Sequence, residues 1–179
     1  MASRGQALQE FYGGPIWKAH REAANATMVD SDNVLLLRPA STASGFSLDN
    51  SDRPAPGSNK VPQGLVVATI YYFDAPVDAP FVEFFEKTVK PAVIGSGATV
   101  LAFLVTEHSE NTFPALPVRE GENVFVWFAR FNDLTAYERH IAALTQSPPW
   151  RDEISKELAR RLKREPEILK LSPTTRSLL

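Results

Sequence analysis

The sequence predicts an α+β domain of βαββαβ order over residues 64–175, preceded by a shorter helix–strand segment, and two observations carry that prediction. Three runs rich in β-branched and aromatic residues have strand length, Leu65–Phe73, Thr99–Thr106 and Asn123–Phe131, and Glu167–Leu171 makes a final short one. Between the first and second, and between the third and fourth, apolar residues recur at helical spacing instead. That succession is the split-βαβ, or ferredoxin-like, arrangement.

The elements follow in order. Residues 4–12 read as helical until Gly13-Gly14 interrupts them, and Pro15 opens a second helix in its first turn, where a missing N–H is harmless. Trp17, Arg21, Ala24 and Met28 form a narrow stripe along it. After the turn chemistry of residues 30–33, Val34-Leu-Leu-Leu37 reads as a short strand stopped by Arg38-Pro39. Residues 40–63 are rich in Ser, Asp, Asn, Gly and Pro, with Phe46, Leu48 and Val61 as the apolar points, and read as a linker or long surface loop. The expected organisation is therefore residues 1–39, a linker over 40–63, and a complete domain over 64–175.

Within that domain, Asp78 is the expected cap of a helix whose buried face carries Phe81, Phe84, Phe85, Thr88 and Val89, with Pro91 kinking its last turn. A long irregular connection over residues 108–122 precedes the third strand. Asn132-Asp133 caps a helix on which Tyr137, Ile141 and Leu144 share a face, and Ser147-Pro148-Pro149 breaks it. The continuation carries Ile154, Leu158 and Leu162 on one face before Glu165-Pro166 stops it.

A repeat is visible across the chain. Pro15-Ile-Trp17-Lys18, a helix, a polar break and Val34 to Pro39 parallel Pro149-Trp150-Arg151, a helix, a break and Ile168 to Pro173. The expectation that follows makes residues 1–39 the closing helix–strand part of a first domain.

The strands do not alternate as a half-solvated antiparallel sheet would. Leu65, Val67 and Tyr71 are apolar on one face, and Val66, Ala68, Ile70 and Tyr72 on the other. The third strand repeats this, with Val124, Val126 and Phe128 opposed to Phe125, Trp127 and Phe131. Helices can cover one face, and an uncovered second face would be an apolar patch of several hundred Å², which monomers rarely carry. A second sheet is the expected cover, supplied by another copy of the chain.

Composition bounds the function. The chain is 44% hydrophobic and 22% charged with a net charge of −2, which gives no electrostatic reason to expect nucleic acid or anionic membrane as a partner. With no cysteine, disulfides, thiolate nucleophiles and Cys-ligated metal centres are excluded. No secretory leader pattern opens the sequence and no apolar run approaches the roughly 20 residues of a membrane helix, so a cytoplasmic location is expected. No pair of the three histidines has metal-ligand spacing, and no glycine-rich loop cradles phosphate, so neither a metal nor a cofactor is expected.

The stretch Phe11-Tyr-Gly-Gly-Pro-Ile-Trp-Lys-Ala-His-Arg-Glu-Ala-Ala-Asn25, followed by Asp30-Ser-Asp-Asn-Val-Leu-Leu-Leu-Arg-Pro39, resembles the bacterial NIPSNAP family, and the pattern over residues 64–173 is similar to it too. The resemblance implies a dimeric α+β barrel, in which two ferredoxin-like sheets face each other. This sequence departs from the family pattern before Phe11, where a strand and helix would be expected. The family itself implies no settled chemistry.

Candidate site residues fall in three groups. Tyr71, Tyr72, Phe103, Trp127, Phe128 and Arg130 would form an aromatic wall with one fixed charge, suited to a planar apolar ligand, or would simply be core packing. His20, Arg21 and Asn25 could line a polar pocket or form a solvated helix surface. His108 ends a strand and opens a loop, a common place for binding residues, whereas His140 reads as a surface residue. Two functions follow. One is a dimeric binding or interaction protein with a pocket for a small apolar or aromatic ligand. The other is a small cofactor-free monooxygenase or isomerase acting on an aromatic or quinone-like substrate, with His108 or Tyr72 handling a proton and Arg130 holding an anionic oxygen.

Overall fold

A computed structural model describes residues 1–47, 54, 55 and 57–178; Leu48, one apolar point of the expected linker, lies outside them. The chain divides into two compact units, Met1–Leu37 with Glu107–Glu122, and Arg38–Thr106 with Asn123–Leu179.

The smaller unit holds helices α1 (Ala2–Gly13) and α2 (Pro15–Asn25). Gly14 is needed at their junction, because a Cβ there would come within 2.9 Å of the Glu10 carbonyl oxygen. Tyr12 packs edge-on against Trp17 at 4.8 Å and stacks on Phe113 at 5.5 Å, so the 107–122 connection belongs with the N-terminal helices. Arg4 adds a hydrogen bond to the Asn111 side-chain oxygen at 2.9 Å. Helix α2 stops at Asn25, and Met28, expected on its apolar stripe, lies beyond it and exposed.

The larger unit is built on a sheet of order β1-β3-β4-β2-β5, with β1 Leu37–Pro39, β2 Leu65–Phe73, β3 Thr99–Thr106, β4 Asn123–Phe131 and β5 Glu167–Leu171. β2 runs antiparallel to both β4 and β5, and β3 antiparallel to β4. With helices between β2 and β3 and between β4 and β5, this is the expected ferredoxin-like α+β fold. The first strand is shifted from the expected Val34–Leu37: the Val34 and Leu36 carbonyls accept from the Arg119 and Glu107 amides at 2.8 Å each, and the ladder begins only at Leu37. Pro39 is tolerated because β1 is an edge, where an absent N–H can face away from the ladder.

Asp78 caps α3 (Ala79–Phe84), accepting from the Phe81 amide at 2.9 Å, with Pro80 in the first turn. A π turn over Phe85–Val89 then leads to α4 (Lys90–Gly95). Pro91 accounts for it: its ring would collide with the carbonyl four residues back, and the wider turn, in which the Lys90 amide donates to Phe85, makes room. The extra residue also rephases the helix, so Phe81, Phe85, Val89 and Val93 all face the core.

Helix α5 (Leu134–Gln146) is capped by Asp133, which accepts from the Ala136 amide at 2.7 Å. A second π turn, Trp150–Ile154, opens α6 (Ser155–Arg161). These helices cover the sheet face bearing Val67, Tyr71, Phe125, Trp127 and Phe131.

The opposite face is equally apolar, as expected, but Val66, Ile70 and Ala102 are buried within the single chain, so their character does not by itself require a partner. Part of the cover is the segment after β1: Phe46 packs on Phe128 at 4.9 Å, and the Phe103 amide donates to the Ser44 carbonyl at 2.9 Å.

Phe85 is fully buried and touches the rings of Phe103, Phe125 and Trp127. Phe85→Ala should cost about 3–5 kcal/mol in urea unfolding, whereas Ile94→Ala, on the same helical segment but 48% exposed, should cost no more than about 0.5 kcal/mol.

Candidate functional site

The apolar strand residues on the helix-covered face do not fill the space beneath α5 and α6. A cavity of about 360 Å³ remains there, within the larger unit. Its floor is the centre of the sheet, where Thr69 stands opposite Trp127 on β4 and Ile168 on β5, flanked by Val67 and Tyr71. Its roof is Tyr137, His140, Ile141 and Leu144 of α5 with Trp150 and Leu158, and Arg164, Glu165 and Pro166 form part of its rim.

The polar groups of this cavity are few. The Trp127 indole N–H is the one buried side-chain polar atom among the described residues with no hydrogen-bond partner. Burial pushes the Tyr71 phenol up to about 12, while the neighbouring indole N–H pulls the other way without reaching hydrogen-bond geometry. Tyr71 is therefore a neutral hydroxyl at physiological pH. Burial likewise raises the Tyr137 phenol.

His140 corrects the surface reading of that residue. It is only 2% exposed, and the buried stripe of α5 is Tyr137, His140 and Leu144, while Ile141 is 40% exposed. Both stripes have helical spacing. What selects the histidine is tertiary: Ser96, just past α4, sets its hydroxyl 2.8 Å from His140 Nδ1. The imidazole also packs on Phe131 at 5.0 Å. Burial lowers its pKa, opposed by a smaller contribution from the Ser96 backbone, so the ring is neutral.

The candidates from the sequence are dispersed. Tyr71 and Trp127 line the cavity together. Phe103 is in the core, stacked on Phe125 at 5.9 Å, outside the cavity wall. Tyr72 points to the other sheet face, where Arg164 lies 3.6 Å above its ring and its hydroxyl donates to Glu167 at 2.7 Å. Arg130 is exposed on β4. His108, His20, Arg21 and Asn25 are exposed in the smaller unit. Neither proton-handling candidate, nor Arg130, lines the cavity. His140 was legible only as the i+3 neighbour of Tyr137. Among the described residues, no group of three or more His, Asp or Glu could hold a metal ion, and no helix is long and apolar enough to cross a membrane.

The neutral histidine makes stability pH-dependent. Above pH 6.5, the ordinary imidazole value, folded and unfolded chains are both neutral here. As pH falls below it, the unfolded chain takes up a proton that the folded chain resists, so stability drops. The melting temperature should decline between about pH 7 and 5, and His140→Asn, whose amide can keep the Ser96 contact, should flatten that part of the profile. Parallel profiles for the two proteins would contradict it.

No family model matches the sequence, and no curated protein is similar to it. Solved structures similar to it include an uncharacterised NIPSNAP-like domain protein from Burkholderia xenovorans, 20% identical over 63% of this chain and 87% of that one, with a TM-score of 0.49. A monooxygenase of Streptomyces coelicolor, solved in complex with nanaomycin D, is 18% identical over 63% of this chain and 89% of its own, with a TM-score of 0.41. The chain is thus similar to a NIPSNAP-like domain and to a monooxygenase, each over about two thirds of its length.

Proposed function

We propose that this protein binds a small, planar, largely apolar molecule in the cavity under α5 and α6, as a binding or interaction protein. The observation that carries this reading is an aromatic-lined space of about 360 Å³ left unfilled beneath the helices, with Trp127, whose buried N–H has no partner, among its lining residues. Aliphatic and aromatic walls with a few polar groups are what such ligands need.

The enzymatic alternative, a cofactor-free monooxygenase or isomerase on an aromatic substrate, has one supporting observation: His140, a neutral base, borders the same space. The reading as a binding protein needs no turnover, and consumption of a bound aromatic compound by the protein alone would favour the enzyme.

A homodimer fits either reading. Every residue of β5 is exposed, including Ile168, Leu169 and Leu171, and an open apolar edge strand favours pairing with a second copy. Sedimentation velocity at micromolar concentration should show a dimer that Leu169→Lys weakens, and a clean monomer would reject it.

Ligand binding is tested with 1-methoxynaphthalene followed by tryptophan fluorescence. Saturable binding is expected, and Val67→Phe, which fills the cavity floor, should weaken it at least tenfold, or about 1.4 kcal/mol. Val67→Phe binding as well as the natural protein would place the ligand elsewhere.

A further inference from the structure

The cavity holds a second polar group whose hydrogen-bonding sense follows from its surroundings. Ser96 Oγ lies 3.1 Å from the Ala92 carbonyl and 2.9 Å from the Val93 carbonyl, as well as 2.8 Å from His140 Nδ1. With the hydroxyl donating to these carbonyls, its oxygen lone pair faces the imidazole. In that arrangement Nδ1 donates, and the neutral ring carries its lone pair on Nε2. No hydrogen bond to Nε2 occurs among the described residues. Nε2 is thus an acceptor without a donor that is not fully buried, on a residue that lines the same space as Trp127, whose own N–H is buried and without an acceptor. A hydroxyl that enters the cavity can satisfy Nε2.

We propose that His140 determines the ligand class of this cavity: it selects a neutral hydroxylated aromatic, of phenol or naphthol type, whose hydroxyl donates to Nε2. This rests on the cavity being the binding site and adds that a ligand hydroxyl proton, not apolar shape alone, is recognised. Ethers and hydrocarbons of the same shape fill the space but leave Nε2 unsatisfied. A phenolate would set an anion against a lone pair in a space walled by apolar side chains, and is disfavoured on both counts. Ser96 is the positioning residue, since its oxygen holds the tautomer that makes Nε2 an acceptor.

The test compares 1-naphthol with 1-methoxynaphthalene at neutral pH, where the naphthol is un-ionised, by calorimetry and fluorescence. The two share ring and oxygen, and only the naphthol donates. The natural protein should prefer 1-naphthol by about tenfold, the worth of one buried hydrogen bond. His140→Asn retains an amide at the Nδ1 position but has nothing at Nε2. It should weaken 1-naphthol more than 1-methoxynaphthalene and so lose the preference. Trp127→Phe, which alters the cavity wall and not Nε2, should weaken both compounds alike. Equal affinities in the natural protein would overturn the role of His140 while leaving the cavity as the site. Equal loss of both compounds in His140→Asn would reduce the histidine to a structural part and overturn the proposal too. Should His140→Asn not fold, the natural protein's preference and its reduction in Ser96→Ala decide the matter, and an undiminished preference in Ser96→Ala would overturn the tautomer argument. Failure of both compounds to bind would remove the cavity reading and this one with it.

Discussion

The pairing of β2 with β4 is the constraint on which the larger unit depends. Nine residue pairs, from Leu65 opposite Phe131 to Phe73 opposite Asn123, hold the two central strands in one register. A slip of one residue would put Tyr71 and Trp127 on opposite faces and bring either Ile70 or Val126 beneath the helices. Because both faces are apolar, alternation alone could not have chosen between those registers. The aromatic contacts of one face do: Tyr71 stacks against Phe125 at 6.3 Å, and Phe81 packs edge-on to both.

From that face the helices take their phase. The π turn before Pro91 keeps Phe81, Phe85, Val89 and Val93 on the sheet, and so places Ser96 where α4 ends. Ser96 in turn makes a histidine tolerable inside α5. A buried imidazole with an unbonded Nδ1 would be expensive, whereas a neutral one held at that nitrogen contributes an apolar ring to the core and keeps Nε2 available. The chemistry of the cavity therefore begins with a proline on a different helix.

The site differs from its surroundings in what is left unmade. Elsewhere in the larger unit polar side chains are satisfied in place, as with Tyr72 between Arg164 and Glu167. Around the cavity the Trp127 N–H and His140 Nε2 lack partners, and burial keeps the Tyr71 phenol and the His140 ring neutral at neutral pH. Such a space suits a neutral guest with one polar edge. It is poorly suited to an anion.

Local sequence determined much of this protein. Strand-length β-branched runs, the Asp78 and Asp133 caps, and the prolines at 80, 91, 148 and 149 placed the elements of the βαββαβ unit, because capping, ring sterics and the two-residue period of a strand act over a few neighbours. Tyr71 and Trp127 were legible as a shared wall for the same reason. The cavity itself was not, since a void is the difference between the volumes of distant side chains and leaves no pattern in any one segment. Nor was His140, because two stripes on one helix satisfied the same periodicity and only a serine 44 residues away decided between them. The displacement of β1 to Leu37–Pro39 has the same origin, as carbonyls at Val34 and Leu36 meet amides from residues 107 and 119. Where a polar group's partner is remote in sequence, burial and function were settled by tertiary structure alone.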